Sequence, residues 1–497
     1  MTPWSAEPSV PRRRVCRRAS QRALRRRGAD RPSPDRTPCR RRVLTAALAA
    51  ASMTAGSPAA ARANATLEGP WTLATAVERA LTTHPSLAAA VAEVARARAD
   101  LATEGAARRP DAYLAASAFR YEEPTIVTPI HGFTPGEIPE FDTGLLQGGA
   151  HLRYLLWDGG GRSARIDRGA RRLAAAEAGS RGEEQRLAAL TVSTYVRALI
   201  LADTVAAHEL RLSALEAERA RVELLLAVGR AAEVDLRRVQ ATVAAARAEQ
   251  VALAVSLDGA ERDLGRLLDV DVSAARAARL RPVPAQSAEV TWAPVREQLL
   301  ARALAANPAV ARAGEELAAA EAAVAATRAA RRPTLRLEGN LLGFASVDVD
   351  PTEEWNAGVR LAVPLFDGAL GGRVARDEAA RDGAAQSLAL VRREVEAQVD
   401  RALATLAESV ARAGSLEEAV ARFAEVVRVE RLRLENGVGI EGDYLDAEAD
   451  LLAARAAATE ARYGIVAARA ELARVEGALT VSWLEELSND EPGSETR

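Results

Sequence analysis

Histidine, cysteine and closely spaced carboxylates are the side chains from which most metal, redox and hydrolytic chemistry is built, and this chain sets out few of them in working patterns. Its four histidines, His84, His131, His151 and His208, stand far apart with no His-x3-His spacing, so each reads as a surface or capping residue. Cys16 and Cys39 are the only cysteines and both precede residue 64, which leaves the rest without disulfide, thiolate nucleophile or sulfur metal ligand. Asp158-Gly159-Gly160-Gly161-Arg162 is glycine-rich but lacks the Lys and Ser of a phosphate-binding loop. An enzyme is therefore not expected, nor a cofactor, nor a resident metal. One carboxylate pair stands out. Asp443 and Asp446 lie one turn apart on a helix that begins just after Gly437, and so share one side of it. Two carboxylates so placed concentrate negative charge on one side of the helix, or simply answer its positive end.

The elements that hold this pair follow from composition and periodicity. At 497 residues, 48% hydrophobic and 27% charged, the chain is long enough for several cores and too apolar for general disorder. Alanine dominates the apolar set and all 66 basic residues are arginine, a strong bias towards helix. Residues 1–63 carry 15 Arg against Glu7, Asp30 and Asp35; with -2 for the whole chain, the remainder holds about -14. So acidic a body argues against nucleic acid as a partner.

Within the leader, Arg40-Arg41-Arg42 runs into the apolar stretch from Val43 to Ala50 and on to Ala61-Arg62-Ala63, the pattern of an export signal cleaved after Ala63. Sec and twin-arginine export both stay open. Neither cysteine follows a lipoprotein pattern, so no lipid anchor is expected. Beyond residue 63 no run approaches the roughly 18 consecutive apolar residues of a spanning helix. A membrane crossing would have to be made of strands.

The chain is also two copies of one unit. Ala80-Leu81 through His84-Pro85 matches Ala303-Leu304 through Asn307-Pro308, and Arg108-Arg109-Pro110 matches Arg331-Arg332-Pro333, both at an offset of 223. Leu156-Trp157-Asp158-Gly159 matches Leu365-Phe366-Asp367-Gly368 at 209, so the first copy carries 14 extra residues, placed in the Pro/Gly-rich loop from Thr125 to Glu140. Gly229 and Asp235 match Gly437 and Asp443 at 208.

Each copy reads helix, strand, loop, strand, long helix, turn, helix. Strands are expected at about 112–122, 149–157, 334–343 and 355–365, where period-2 alternation has the length of outer-membrane strands. Tyr113, Phe119 and Tyr121 read as one face of the first, against Arg120 and Glu122. Proline is absent for 68 residues from Gly161 and for 65 from Gly372, enough for helices about 100 Å long. Stripes such as Leu187, Leu190, Tyr195, Leu199, Leu210 and Leu215, or Val395, Val399 and Leu406, fit helices packed side by side. The domains expected are a leader over 1–63, a first repeat over 64–280 with its tip near 229, a second over 281–480 with its tip near 437, and a flexible tail over 481–497.

Thr72-Leu73 through His/Asn-Pro to Arg-Arg-Pro, then Leu-Phe-Asp-Gly, then Gly437 to Asp443-Tyr444-Leu445-Asp446-Ala447 resembles the TolC family of outer-membrane efflux proteins over about residues 70 to 480. The resemblance implies a mainly α fold with a membrane β-barrel. In it a homotrimer pools four strands from each protomer into a 12-stranded barrel continuous with an α-helical periplasmic tunnel. It further implies an outer-membrane duct conducting cargo from an inner-membrane transporter and a periplasmic adaptor, with outer-membrane lipid around the barrel. On this footing Asp443 and Asp446 ring the periplasmic entrance, while Gly229, Asp235 and Gly437 mark tips that meet the adaptor. Leu434 and Gly439 stand where some members carry a gate-tying Tyr and Arg, so the closed gate is expected to rest more on apolar packing than on tyrosine and arginine bonds; Arg238 replaces the second acid in the first repeat. A soluble periplasmic coiled-coil scaffold or adaptor is the alternative. The cargo is not legible.

Overall fold

The computed structural model describes residues 70–127, 136, 138–283 and 295–489. The leader over 1–63 and most of the Thr125–Glu140 loop, His131 included, lie outside the described residues. In the first repeat α1 (Leu73–Thr83) and α2 (Pro85–Ala106) precede β1 (Asp111–Ile126) and β2 (Phe141–Trp157), which lead into α3 (Gly161–Ala227) and α4 (Glu233–Leu268). The second runs α5 (Arg296–Ala306), α6 (Pro308–Ala329), β3 (Thr334–Ala345), β4 (Thr352–Ala362), α7 (Leu370–Glu435) and α8 (Glu441–Glu476), with α9 (Val481–Asn489) after it.

Each opening helix, expected as one, is two. Proline cannot donate to the turn before it, and it drives His84 and Asn307 into extended backbone. Both residues then cap the helix that follows: His84 Nδ1 accepts from the Ser86 amide at 3.2 Å and Asn307 Oδ1 from the Ala309 amide at 2.9 Å. Asn307 also donates from Nδ2 to the Val475 carbonyl at 2.8 Å, fixing the break against α8.

The strands form one antiparallel sheet in the order β1-β2-β3-β4, so β1 and β4 each have an edge with no partner among the described residues. Register sorts the side chains into two faces. One row runs Tyr113, His151, Asn340, Asn356 across all four strands. Tyr113 stacks on His151, Arg153 donates to the Tyr113 hydroxyl at 2.8 Å, and Asn340 Nδ2 donates to Asn356 at 2.7 Å. The opposite face carries Leu114, Ala150, Leu341 and Trp355 in register, with Leu114 84% and Trp355 75% exposed. Tyr113 therefore belongs with the polar row, and its alternation had to be read the other way. Aromatic identity marks neither face by itself, whereas pairing with His151 decides it.

The long helices fold back beside shorter ones, as the missing prolines require. A core around α3 buries Leu187, Val192, Tyr195 and Leu199 with Leu73 and Val77 of α1 and Leu264 and Leu268 of α4. The Tyr195 hydroxyl lies 2.8 Å from the Trp71 carbonyl and 2.7 Å from that of Arg281, tying both ends of the first repeat to its middle. A second core joins Val395, Val399 and Leu406 of α7 to Leu299 of α5 and Ile465 and Leu472 of α8. The expected α3 stripe is interrupted, since Leu190 and Leu210 are exposed. His208, expected at the surface, is buried, its Nδ1 3.8 Å from Glu249 of α4.

The two repeats interlock. Arg332, just beyond α6 in the second copy, donates to the Gly159 carbonyl of the first at 2.6 Å, and its stem fills the space a Cβ on Gly159 would need. Gly159 and Gly160 turn the chain from β2 into α3 with φ of 68° and 90°.

Residues 481–489, expected within a flexible tail, instead form α9. The Thr480 hydroxyl accepts from the Trp483 amide at 3.2 Å, and Leu484 and Leu487 enter the α1–α3 core. Two leucines three apart make a short apolar face that the polar end of the chain disguises. Leu484→Ala should cost about 3 kcal/mol in denaturant unfolding of the detergent-solubilised protein. Unchanged stability would detach α9 from the core.

Candidate functional site at the helical tips

Both hairpins turn by the same device. Beyond α3, the Gly229 amide donates to the Leu226 carbonyl at 3.0 Å and the Arg230 amide to Leu225 at 2.8 Å. Beyond α7, Gly437 donates to Leu434 at 3.1 Å and Val438 to Arg433 at 3.0 Å. This pair of bonds needs a left-handed residue at its centre, and both glycines have φ of 72°. Valines and an isoleucine flank the turns in the open: Val228, Val234, Val438 and Ile440 are all more than half exposed.

The aligned acids of the two repeats do different work. The Asp235 carboxylate accepts from the Ala232 amide at 3.2 Å, closing the start of α4 on itself. Asp443, its counterpart on α8, makes no hydrogen bond or ion pair among the described residues, and neither does Asp446. Both are exposed, and Asp450, also exposed, extends them along one side of α8. The other sides of that helix are taken: Leu445 packs with Leu215, Val222, Val239 and Val243, and Ala447 and Leu451 with Val427. Asp450 was open to sequence reasoning, because it continues the spacing by one more turn.

The tips are held by polar ties as well as apolar packing. Within the α7–α8 hairpin, Arg431 Nη2 lies 3.2 Å from the Tyr444 hydroxyl and 3.3 Å from Glu448, and the hydroxyl donates to Glu448 at 2.9 Å. Arg221 of α3 reaches Glu218 on its own helix at 2.5 Å and, across to the other hairpin, Glu441, the first residue of α8, at 2.6 Å. Gly439 sits close to the preceding turn: a Cβ there would stand 3.0 Å from the Arg433 backbone, a tight approach that glycine avoids. Arg238 packs across Gly442, its Nη1 3.1 Å from where a Cβ would stand.

Burial, reinforced by the neighbouring Glu218 carboxyl and opposed by Arg221, pushes the Glu441 carboxyl up to about 8. Glu218 itself is held below the ordinary glutamate range, because hydrogen bonds from Arg221 and Glu441 outweigh its burial. No group of three or more potential metal ligands occurs among the described residues.

An amphipathic sheet continued directly by helices of 67 and 66 residues defines a membrane protein that inserts by strands and projects by helical hairpins. The model of a family described as outer membrane efflux protein matches residues 76–269 and 299–478, one stretch in each repeat. The chain belongs to that family: it is an outer-membrane efflux channel protein that extends into the periplasm. No curated protein matches it significantly. Among solved structures, the outer membrane protein VceC from Vibrio cholerae is 20% identical with a TM-score of 0.68, over 82% of this chain and 96% of that one. A membrane protein from Pseudomonas aeruginosa is 23% identical with a TM-score of 0.68, over 81% and 93%. The MtrE outer membrane channel of Neisseria gonorrhoeae, solved in its open state, is 19% identical with a TM-score of 0.67, over 82% and 89%. At these identities the likeness establishes the fold.

Gly437→Ala forces an L-residue into the left-handed region and should cost about 1 kcal/mol locally. Amide exchange at Val438 should accelerate accordingly, and no change there would remove the requirement for glycine at the tip.

Proposed function

We propose that three copies of this chain close their sheets into a 12-stranded barrel and their hairpins into one tunnel, forming the outer-membrane duct of a tripartite export system. The free edges of β1 and β4 carry the reading. Hydrocarbon offers unpaired strand edges no water, so four strands cannot rest there alone. Two copies would give a barrel whose interior side chains fill, and three give the smallest one with a useful lumen.

The internal repeat supports a second copy at the same seam. Inside one protomer, Arg332 covers Gly159, and Leu156 and Trp157 beside it are about half covered. At the equivalent place Leu365 and Phe366 are 94% and 91% exposed, and no described residue does for Gly368 what Arg332 does for Gly159. By repeat symmetry the missing partner is Arg109 of the next copy, brought there when its β1 joins β4. Sedimentation in detergent should then give a trimer, and Arg109→Ala should lower the temperature at which it dissociates while leaving helical content per chain unchanged. A monodisperse folded monomer would overturn both barrel and seam.

The exposed valines and isoleucine of the tips, with Gly229, Asp235 and Gly437 setting the turns, suit docking of the hairpins of a periplasmic adaptor that links the duct to an inner-membrane transporter. Asp443 and Asp446 are proposed as carboxylate rings at the tunnel entrance, supported by their exposure and by the absence of side-chain partners among the described residues. Replacing both with Asn should reduce cation selectivity in planar bilayers and weaken block by multivalent cations added on the periplasmic side. Unchanged selectivity and block would place both acids off the lumen.

A further inference from the structure

Two carboxylates from different hairpins meet one guanidinium at the tips. Nη2 of Arg221 lies 2.5 Å from Glu218 Oε1 and 2.6 Å from Glu441 Oε2, and the two glutamate side chains are only 13% and 11% exposed. Geometry then bounds the separation of those two oxygens at about 5 Å, a distance at which like charges with little water between them repel strongly. Oε1 of Glu441 is buried without a hydrogen-bond partner. A single proton resolves both difficulties, because protonated Glu441 can donate to the Glu218 carboxylate while Arg221 balances the charge that remains.

We propose that Glu218, Arg221 and Glu441 form a proton-linked clasp that fastens the α3–α4 hairpin to the α7–α8 hairpin at the tips. The surroundings leave the proton little competition. From α3 the charged groups facing Glu441 are Glu218 and Arg221; from α4 Arg238 lies across Gly442. From α7 the nearby arginines are engaged, Arg431 with Tyr444 and Glu448, and Arg433 with Glu430 at 2.8 Å. On α8 itself Asp443 points to the free side.

The joined form keeps a proton that a parted, solvated Glu441 would release near the ordinary glutamate value of 4.5, whereas burial beside Glu218 holds it up to about 8. Joined tips therefore bind more protons across that window, and the contact is strongest at its acidic end, weakens as pH rises through it and weakens no further above it. The hairpins part more readily in mild alkali. The bearing of this on conduction rests on the entrance reading above, while the clasp itself does not.

Spin labels at Leu224 and Ile440, both exposed, report the separation of the hairpins when labelled chains are diluted into unlabelled full-length assemblies in detergent. Between about pH 5 and about pH 8.5 the separated population should rise several-fold in the parent chain. Glu441→Gln, which keeps a donor for Glu218 but cannot ionise, should hold the short distance at every pH. Glu218→Gln removes the repulsion and should also flatten the response, whereas the Asp443→Asn/Asp446→Asn double variant should keep it. A Glu441→Gln chain that retains the parent response would overturn the clasp, as would a parent chain with no response. Bilayer conductance that ignores these distances would leave the clasp standing and remove the entrance reading.

Discussion

A strand edge in hydrocarbon must be paired, and the rest of this molecule is arranged around that demand. The protomer satisfies the inner ladders of β1 to β4 and leaves two edges open, so it is an incomplete solution to its own solvent. The register then decides which side chains meet which medium. Leu114, Leu341, Trp355 and Val359 fall on one face, and His151, Arg153, Asn340 and Glu338 on the other, where His151 bonds Asn340, Arg153 bonds Tyr113 and Glu338 bonds Arg360 across strands. Because each long helix begins directly after the sheet, the curvature that closes the strands also fixes where the helices stand. The glycine turn at Gly159 and Gly160 makes that junction tight enough for Arg332 to cap it.

Much of this was legible because the chain says it twice. Matching landmarks at constant offsets located the junctions and the tips, and proline marked where helices could not run. What stayed hidden depended on partners far away in sequence. Tyr113 could not be assigned a face until its pairing with His151 was known. Leu484 and Leu487 looked like part of a tail because only the α1–α3 core gives their short apolar face a purpose. The Glu218–Arg221–Glu441 contact spans 223 residues and has no motif; its signal exists only once α3 and α8 lie side by side. Asp450 was different, being visible in the spacing from the start.

Where the two copies differ is as informative as where they agree. A duplicated unit begins with two equivalent tips, and the glycine turns share the same pair of closing hydrogen bonds in both. The acids have not. In the first copy Asp235 closes its own helix and Arg238 takes the place of a second acid, leaning on Gly442 of the other hairpin. In the second copy the start of α8 is tied from outside by Arg221 through Glu441, so Asp443 is released from capping and stands free with Asp446 and Asp450. One repeat has thus become the support, supplying Arg221 and Arg238, and the other has become the surface that is supported. A free carboxylate at a helix start is normally recruited by the helix itself, as Asp235 is. Keeping Asp443 available therefore depends on contacts made by the opposite hairpin, which makes the acidic face of α8 and the clasp behind it parts of one arrangement.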